Sequence, residues 1–381
     1  MKKSAMAFLI ILLAALAACS TSEGTGSGLS GSNDTEHSGG NSDESGLDIP
    51  LLSDVYSSMF DIGAAVQSTE YGGQSFDTVY EDLLPQFTSL TPENSMKPSV
   101  IQPSEGNFSW SATDRIVEYA SEHSMKVRGH VLVWHNQTDS WMTEGGRSDA
   151  FRRMKTHIET VMNRYKDSIY CWDVVNEAVS DGDHDVYRED SLWYTAYGNA
   201  DYIQDAFDLA RSADPDALLF YNDYSVVNKD KRDRIVTMIN DLNLKEHGLD
   251  GIGIQAHWNL DWPGIDDIQS TIDTFHDMGL VIHITELDID CFNGTGNTEG
   301  RSFDDELKQR LADRYDEIFT LFRENSTKIS SVSFWGIADD HTWLDNFYNG
   351  TWNGNAPLKN YPLPFDEEHK PKDAFYRIVE F

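Results

Sequence analysis

Glu177 and Glu286 stand near the ends of two short runs, Trp172-Asp173-Val174-Val175-Asn176-Glu177-Ala178 and Ile284-Thr285-Glu286-Leu287-Asp288-Ile289-Asp290. Each run reads as a buried apolar strand whose last residues turn abruptly polar and acidic. In a barrel of parallel strands such ends collect at one face, where that fold places its active site. Two carboxyl groups 109 positions apart (286 − 177) can then face each other across one cleft. A facing carboxyl pair is what glycosidic bond cleavage requires. With 64 acidic residues in 381, two glutamates alone mean little; their place at strand ends gives them weight.

The elements that must hold them show as an alternation. Apolar runs at 60–66, 87–90, 126–134, 169–175, 217–221, 251–256, 280–285 and 329–335 are short and mostly rich in β-branched or aromatic residues, as buried parallel strands are. Amphipathic stretches at 149–165, 201–213, 232–244, 265–278 and 304–323 lie between them. Eight strands with intervening helices predict an α/β fold, a (β/α)8 TIM barrel in one catalytic domain. A doubly wound open sheet is the alternative, but no Gly-rich phosphate turn follows the first strand. The strand ends carry a polar series. Glu93, Asn94 and Lys97 follow the second, His130 lies in the third with Trp134-His135-Asn136-Gln137 at its end, and Asn176-Glu177 closes the fourth. Asn222-Asp223-Tyr224 closes the fifth, Gln255 and His257 the sixth, Glu286 and Asp288 the seventh, and Trp335 the eighth. One polar strand end is an ordinary solvated terminus; seven in a row point to a shared site.

Composition narrows the function classes. Ten Trp and sixteen Tyr fill a core and also offer flat rings on which sugar faces stack. The formal charge of −35, from 29 basic and 64 acidic residues, leaves no basic footprint for nucleic acid. The N-terminus reads as an export signal over residues 1–18: Lys2 and Lys3, then an apolar stretch too short to span a bilayer. It ends in Leu16-Ala17-Ala18-Cys19, which resembles the lipobox of bacterial lipoproteins and implies acylation of Cys19. Residues 19–49, with their Gly, Ser and acidic composition, read as a flexible tether, and 50–381 as the catalytic barrel. The expected localisation is that of an exported lipoprotein at the outer membrane or cell surface, bound to the membrane only through its lipid. Cys171 and Cys291 are expected as free, partly buried thiols.

Across the barrel the sequence resembles the glycoside hydrolase family 10 endo-β-1,4-xylanases. The resemblance rests on Ile62-Gly63-Ala64-Ala65-Val66, Thr91-Pro92-Glu93-Asn94-Ser95-Met96-Lys97, Arg128-Gly129-His130-Val131-Leu132-Val133-Trp134-His135, the run from Trp172 to Ala178, Tyr221-Asn222-Asp223-Tyr224, the run from Gly251 to Trp258, that from Ile284 to Asp288, and Phe334-Trp335-Gly336. It implies endo-hydrolysis of xylan and xylo-oligosaccharides by a retaining double displacement, with Glu177 as general acid/base and Glu286 as nucleophile. Burial and a neighbouring Glu286 would raise the Glu177 pKa so that it arrives protonated. His257 would donate to Glu286 and Asp288 would orient His257. Asn176 would bond the sugar 2-hydroxyl; Glu93, Asn94, Lys97, His130 and Gln255, with Gln137 less securely matched, would hold hydroxyls of the glycone sugars. Trp134, Trp335 and Trp343 would wall the glycone side and Tyr224 would stack on the aglycone side. No cofactor or metal is implied, and a monomer is expected. The loop 337–342, with Asp339, Asp340 and His341, matches the family pattern poorly. Another retaining barrel glycosidase, or a non-catalytic glycan-binding lipoprotein, are the competing readings.

Overall fold

Parallel strands with both faces covered need a closed surface, and the chain supplies one. In the computed structural model, which describes residues 49–68, 74–182, 185–348 and 355–381, nine strands follow one another with helices between all but the sixth and seventh. They are β1 (Asp61–Val66), β2 (Ser89–Pro92), β3 (Lys126–Trp134), β4 (Cys171–Asn176), β5 (Leu218–Asp223), β6 (Gly251–Ile254), β7 (His257–Asn259), β8 (Val281–Asp290) and β9 (Ile329–Phe334). The hydrogen-bonded order runs β6-β5-β4-β3-β2-β1-β9-β8, and a β6–β8 pairing closes it into an eight-stranded barrel. Every pairing is parallel, with registers such as Ala64↔Leu90 and Ile252↔Ile282. The predicted fold holds. Residues 1–18, the tether and Cys19 lie outside the described residues, apart from Ile49.

Helices wrap the barrel where apolar periodicity places them. Asp201–Ala213 matches its predicted span, and Asp305–Glu324 is capped by Asp304, whose carboxylate accepts from Leu307 N at 3.0 Å. The helix expected at 232–244 instead spans Lys229–Asp241. Asn228 is the reason: its side chain accepts from Asp230 N and Lys231 N and starts the helix three residues early.

Two departures bear on the site. The sixth strand was expected to run through 256, but it stops at Ile254, and Ala256 takes a left-handed φ of 63°. The chain then resumes as β7, paired to the far half of β8, beyond the part of β8 that pairs with β6, with His257 opposite Asp288. That added partner lets β8 run on to Asp290, five residues beyond its expected end. Inside the barrel, Arg128 of β3 pairs with Asp173 of β4, both nearly sealed from solvent. The guanidinium also meets His283 Nδ1 at 2.9 Å and lies 4.7 Å above the Phe220 ring. Burial and the adjacent Arg128 charge push His283 well below the usual imidazole range, so it accepts as a neutral ring. Cys171 and Cys291 are buried thiols.

Candidate active site

Glu177 lies one residue past β4 with a φ of 56°. A non-glycine residue in the left-handed region carries strain that its surroundings must hold. The holders are visible. Its N–H donates to Asn222 O at 2.9 Å, and its carbonyl accepts from Arg188 Nε at 3.0 Å. The Tyr221 hydroxyl accepts from the next two N–H groups, Ala178 at 3.0 Å and Val179 at 3.1 Å. The side chain is fixed as firmly: Oε1 accepts from Gln255 Nε2 at 2.9 Å and Asn176 Nδ2 at 3.0 Å, and Oε2 from Trp134 Nε1 at 2.8 Å.

Glu286 sits within β8, 4% exposed. Its Oε1 accepts from Asn222 Nδ2 at 2.7 Å and its Oε2 lies 3.1 Å from His257 Nε2. The same Asn222 amide donates its other hydrogen to Asn176 Oδ1 at 2.8 Å, while its oxygen accepts from Thr285 Oγ1 at 2.7 Å. Glu177 and Glu286 are therefore joined by a chain of two asparagines, 176 and 222, in one pocket. On the other side His257 Nδ1 lies 3.0 Å from Asp288 Oδ1. Burial opposes charge on this imidazole, but Asp288 and Glu286 outweigh it and push the pKa up to about 10. An imidazolium donating to both carboxylates follows at neutral pH.

The electrostatics correct one expectation. Burial does push the Glu177 carboxyl up, but the His135 imidazole, the Gln255 and Trp134 donors and Lys231 together outweigh it, and the net direction is downward. His135 is itself pushed down to about 4 by burial, so near pH 7 it brings no charge. The amide and indole donors and the Lys231 charge are what persist. Hydrogen bonding to the ionised form, overlooked from sequence, works with the Lys231 charge against burial in the free site.

The other predicted residues gather around this chain, some in altered roles. Gln255 and Trp134, expected against sugar, are bonded to Glu177 itself. His130 is held through Nδ1 by Asp173 Oδ2 at 2.9 Å and meets the Trp335 ring edge-on at 5.3 Å. Lys97 donates to Asn94 Oδ1 at 2.9 Å and stands 5.4 Å over the Trp134 ring. Glu93 accepts from Gln67 Nε2 at 3.1 Å and is held below the usual Glu range: burial pushes it up, but His341, Lys97 and Gln67 prevail. Trp343 Nε1 donates to Asp288 Oδ2 at 2.7 Å, and its ring packs on His257 at 4.9 Å. Tyr224 differs more: its hydroxyl binds Asp181 and accepts from Arg188 at 3.0 Å, and the Lys231 ammonium covers one ring face at 3.5 Å. Gln137 occupies the turn after β3 with a φ of 44°. Among the described residues no hydrogen bond draws its side chain into the constellation. Asn222, Arg188 and Tyr221 were missed as positioning residues; for Asn222 and Tyr221 the Tyr221-Asn222-Asp223-Tyr224 match was the available signal.

A closed parallel barrel with two buried carboxylates on one amide chain, at its C-terminal face, defines a glycoside hydrolase of the TIM-barrel class. Residues 51–381 match glycosyl hydrolase family 10, and the chain belongs to that family. It is 44% identical over 342 residues to an endo-1,4-beta-xylanase of Geobacillus stearothermophilus, covering 87% of this chain and 98% of that one. It is 42% identical over 345 residues to endo-1,4-beta-xylanase B of Paenibacillus barcinonensis, with the same two coverages. Among solved structures, a xylanase from Paenibacillus barcinonensis superposes with a TM-score of 0.80 at 39% identity, covering 87% of this chain and 98% of that chain.

Proposed function

We propose that this protein is an endo-1,4-β-xylanase that cleaves xylan with retention, Glu177 serving as general acid/base and Glu286 as nucleophile. The observation that carries the reading is the Glu177–Asn176–Asn222–Glu286 chain, which holds two carboxylates in one pocket with different partners. Glu286, with an amide on one oxygen and the His257 imidazolium on the other, is oriented to attack an anomeric carbon. Glu177, fixed by neutral donors, can exchange its proton with the leaving oxygen and then with water. Asn176, touching Glu177 and Asn222, stands where a sugar 2-hydroxyl would pass as the ring gains oxocarbenium character. The relatives' activity on xylan supports the substrate. Residues 1–18 and Cys19 support export and lipid anchoring at the cell surface.

Aryl β-xylobiosides with a good leaving group test the roles. Glu286→Ala should abolish turnover. Glu177→Ala should still form the glycosyl-enzyme but release it slowly, and added azide should restore turnover and yield the β-glycosyl azide. An α-azide, or an inverted anomer in the first product of the unaltered enzyme, would overturn the assignment. Carboxyl groups about 5–5.5 Å apart are the corresponding geometric requirement.

A further inference from the structure

The loop after β9, which fits the family pattern poorly, is held in a way that gives one of its residues a task. Asp339 is 1% exposed; its carboxylate accepts from Lys372 Nζ at 2.6 Å and Leu363 N at 2.9 Å. Asp340 accepts from the Tyr80 hydroxyl at 2.8 Å and lies 3.1 Å from His369 Nε2. Both acids thus anchor the loop to the surrounding structure and are not turned to the pocket. His341 follows them. Its Nε2 lies 2.6 Å from Gln67 Nε2 and 3.4 Å from Glu93 Oε2. Gln67, just past β1, reaches the same Glu93 oxygen at 3.1 Å.

One oxygen of Glu93 therefore accepts from Gln67 and faces the His341 imidazole, and both restrain the carboxylate about its last torsion. The other, Oε1, meets a long 3.3 Å contact from Asn94 Nδ2, among the described residues, and keeps capacity to accept a further hydrogen bond. Among the described residues Glu93 makes no hydrogen bond to the Glu177–Asn176–Asn222–Glu286 chain; the Lys97 charge faces Glu93, Glu286 and Glu177 alike. The His341 side chain is 28% exposed against 9% for Glu93, so it forms the outer lip of this corner.

We infer that His341, backed by Gln67, is a positioning residue that fixes Glu93 for the sugar one unit beyond the reacting one on the glycone side. The inference rests on the xylanase reading above. A carboxylate oxygen locked in direction accepts from a sugar hydroxyl at one place and disfavours a sugar that lacks it.

Kinetics of the full chain on an aryl β-xyloside, which fills only the reacting position, and on an aryl β-xylobioside test this. His341→Ala should lower kcat/KM on the xylobioside about tenfold, mainly through KM, and leave the xyloside unchanged. His341→Gln, which keeps a donor for Glu93, should recover most of the loss, and Gln67→Ala should repeat it. Equal proportional losses on both substrates, or no loss on either, would overturn the inference. If the unaltered enzyme cleaves neither glycoside nor xylan, it is the xylanase reading that fails, and the inference falls with it.

Discussion

At the scale of single residues, the site works by giving two carboxylates unlike neighbours. Glu177 accepts from neutral amide and indole donors and Glu286 from an amide and an imidazolium, so their roles diverge. The downward direction of the free Glu177 carboxyl makes a pH prediction. Sugar filling the pocket strips water from the carboxylate and raises its pKa. The alkaline limb of kcat, which reports the bound state, should lie at higher pH than that of kcat/KM, which reports the free enzyme. Coincident limbs would contradict it. His257 carries a second. Its folded pKa of about 10 stands above the ordinary 6.5, so its contribution is complete below pH 6.5 and is lost as pH rises through 10. Melting temperature should therefore fall between pH 7 and 10, and the fall should shrink in His257→Asn. The sequence made Glu177, Glu286, His257 and Asp288 legible because strand-end position and residue type coincide there. It did not show that Gln255 and Trp134 serve Glu177, since a donor's target depends on torsions that no spacing encodes.

At the scale of elements, the site depends on where strands stop. Period and composition mark helices such as Asp201–Ala213 and the cores of the strands. They do not mark the break at Ala256, because a left-handed alanine looks like any other small residue in an apolar run. Close approach between neighbouring strands is as important. A Cβ on Gly253 of β6 would lie 2.2 Å from Asn222 Oδ1 and 3.0 Å from Thr285 Cγ2. Gly253→Ala should push the Asn222 amide off Glu286 and off Asn176, which is its link to Glu177. The expected result is a loss of kcat of about 10²-fold, because the reacting groups move while the outer sugar contacts stay. Overpacking should cost roughly 1–3 kcal/mol as well, read by denaturant unfolding. An unchanged kcat would mean that Asn222 is not the link between the carboxylates.

At the scale of the whole molecule, the charge imbalance of 29 basic against 64 acidic residues is the dominant property. Self-repulsion of such a surface destabilises the compact state, and salt screens it. The melting temperature should rise by a few degrees between low salt and roughly 0.5 M sodium chloride, where the Debye length is well under 10 Å. A flat or falling trend would show that paired surface charges matter more than net charge. The family match spans 51–381, and residues 49–381 form a contact unit of their own. A chain beginning at Ile49 should accordingly keep the kcat/KM of the full protein on soluble xylan.

Trp343 hangs from the carboxylate that also steadies His257. Replacing the indole by a phenyl ring would keep a flat wall but withdraw its N–H from Asp288, loosening the arm that reaches Glu286. Affinity scans of that wall therefore confound adhesion with reactivity. A bulky hydrocarbon there is never a neutral probe, and any weakening it causes has to be apportioned by single-turnover kinetics.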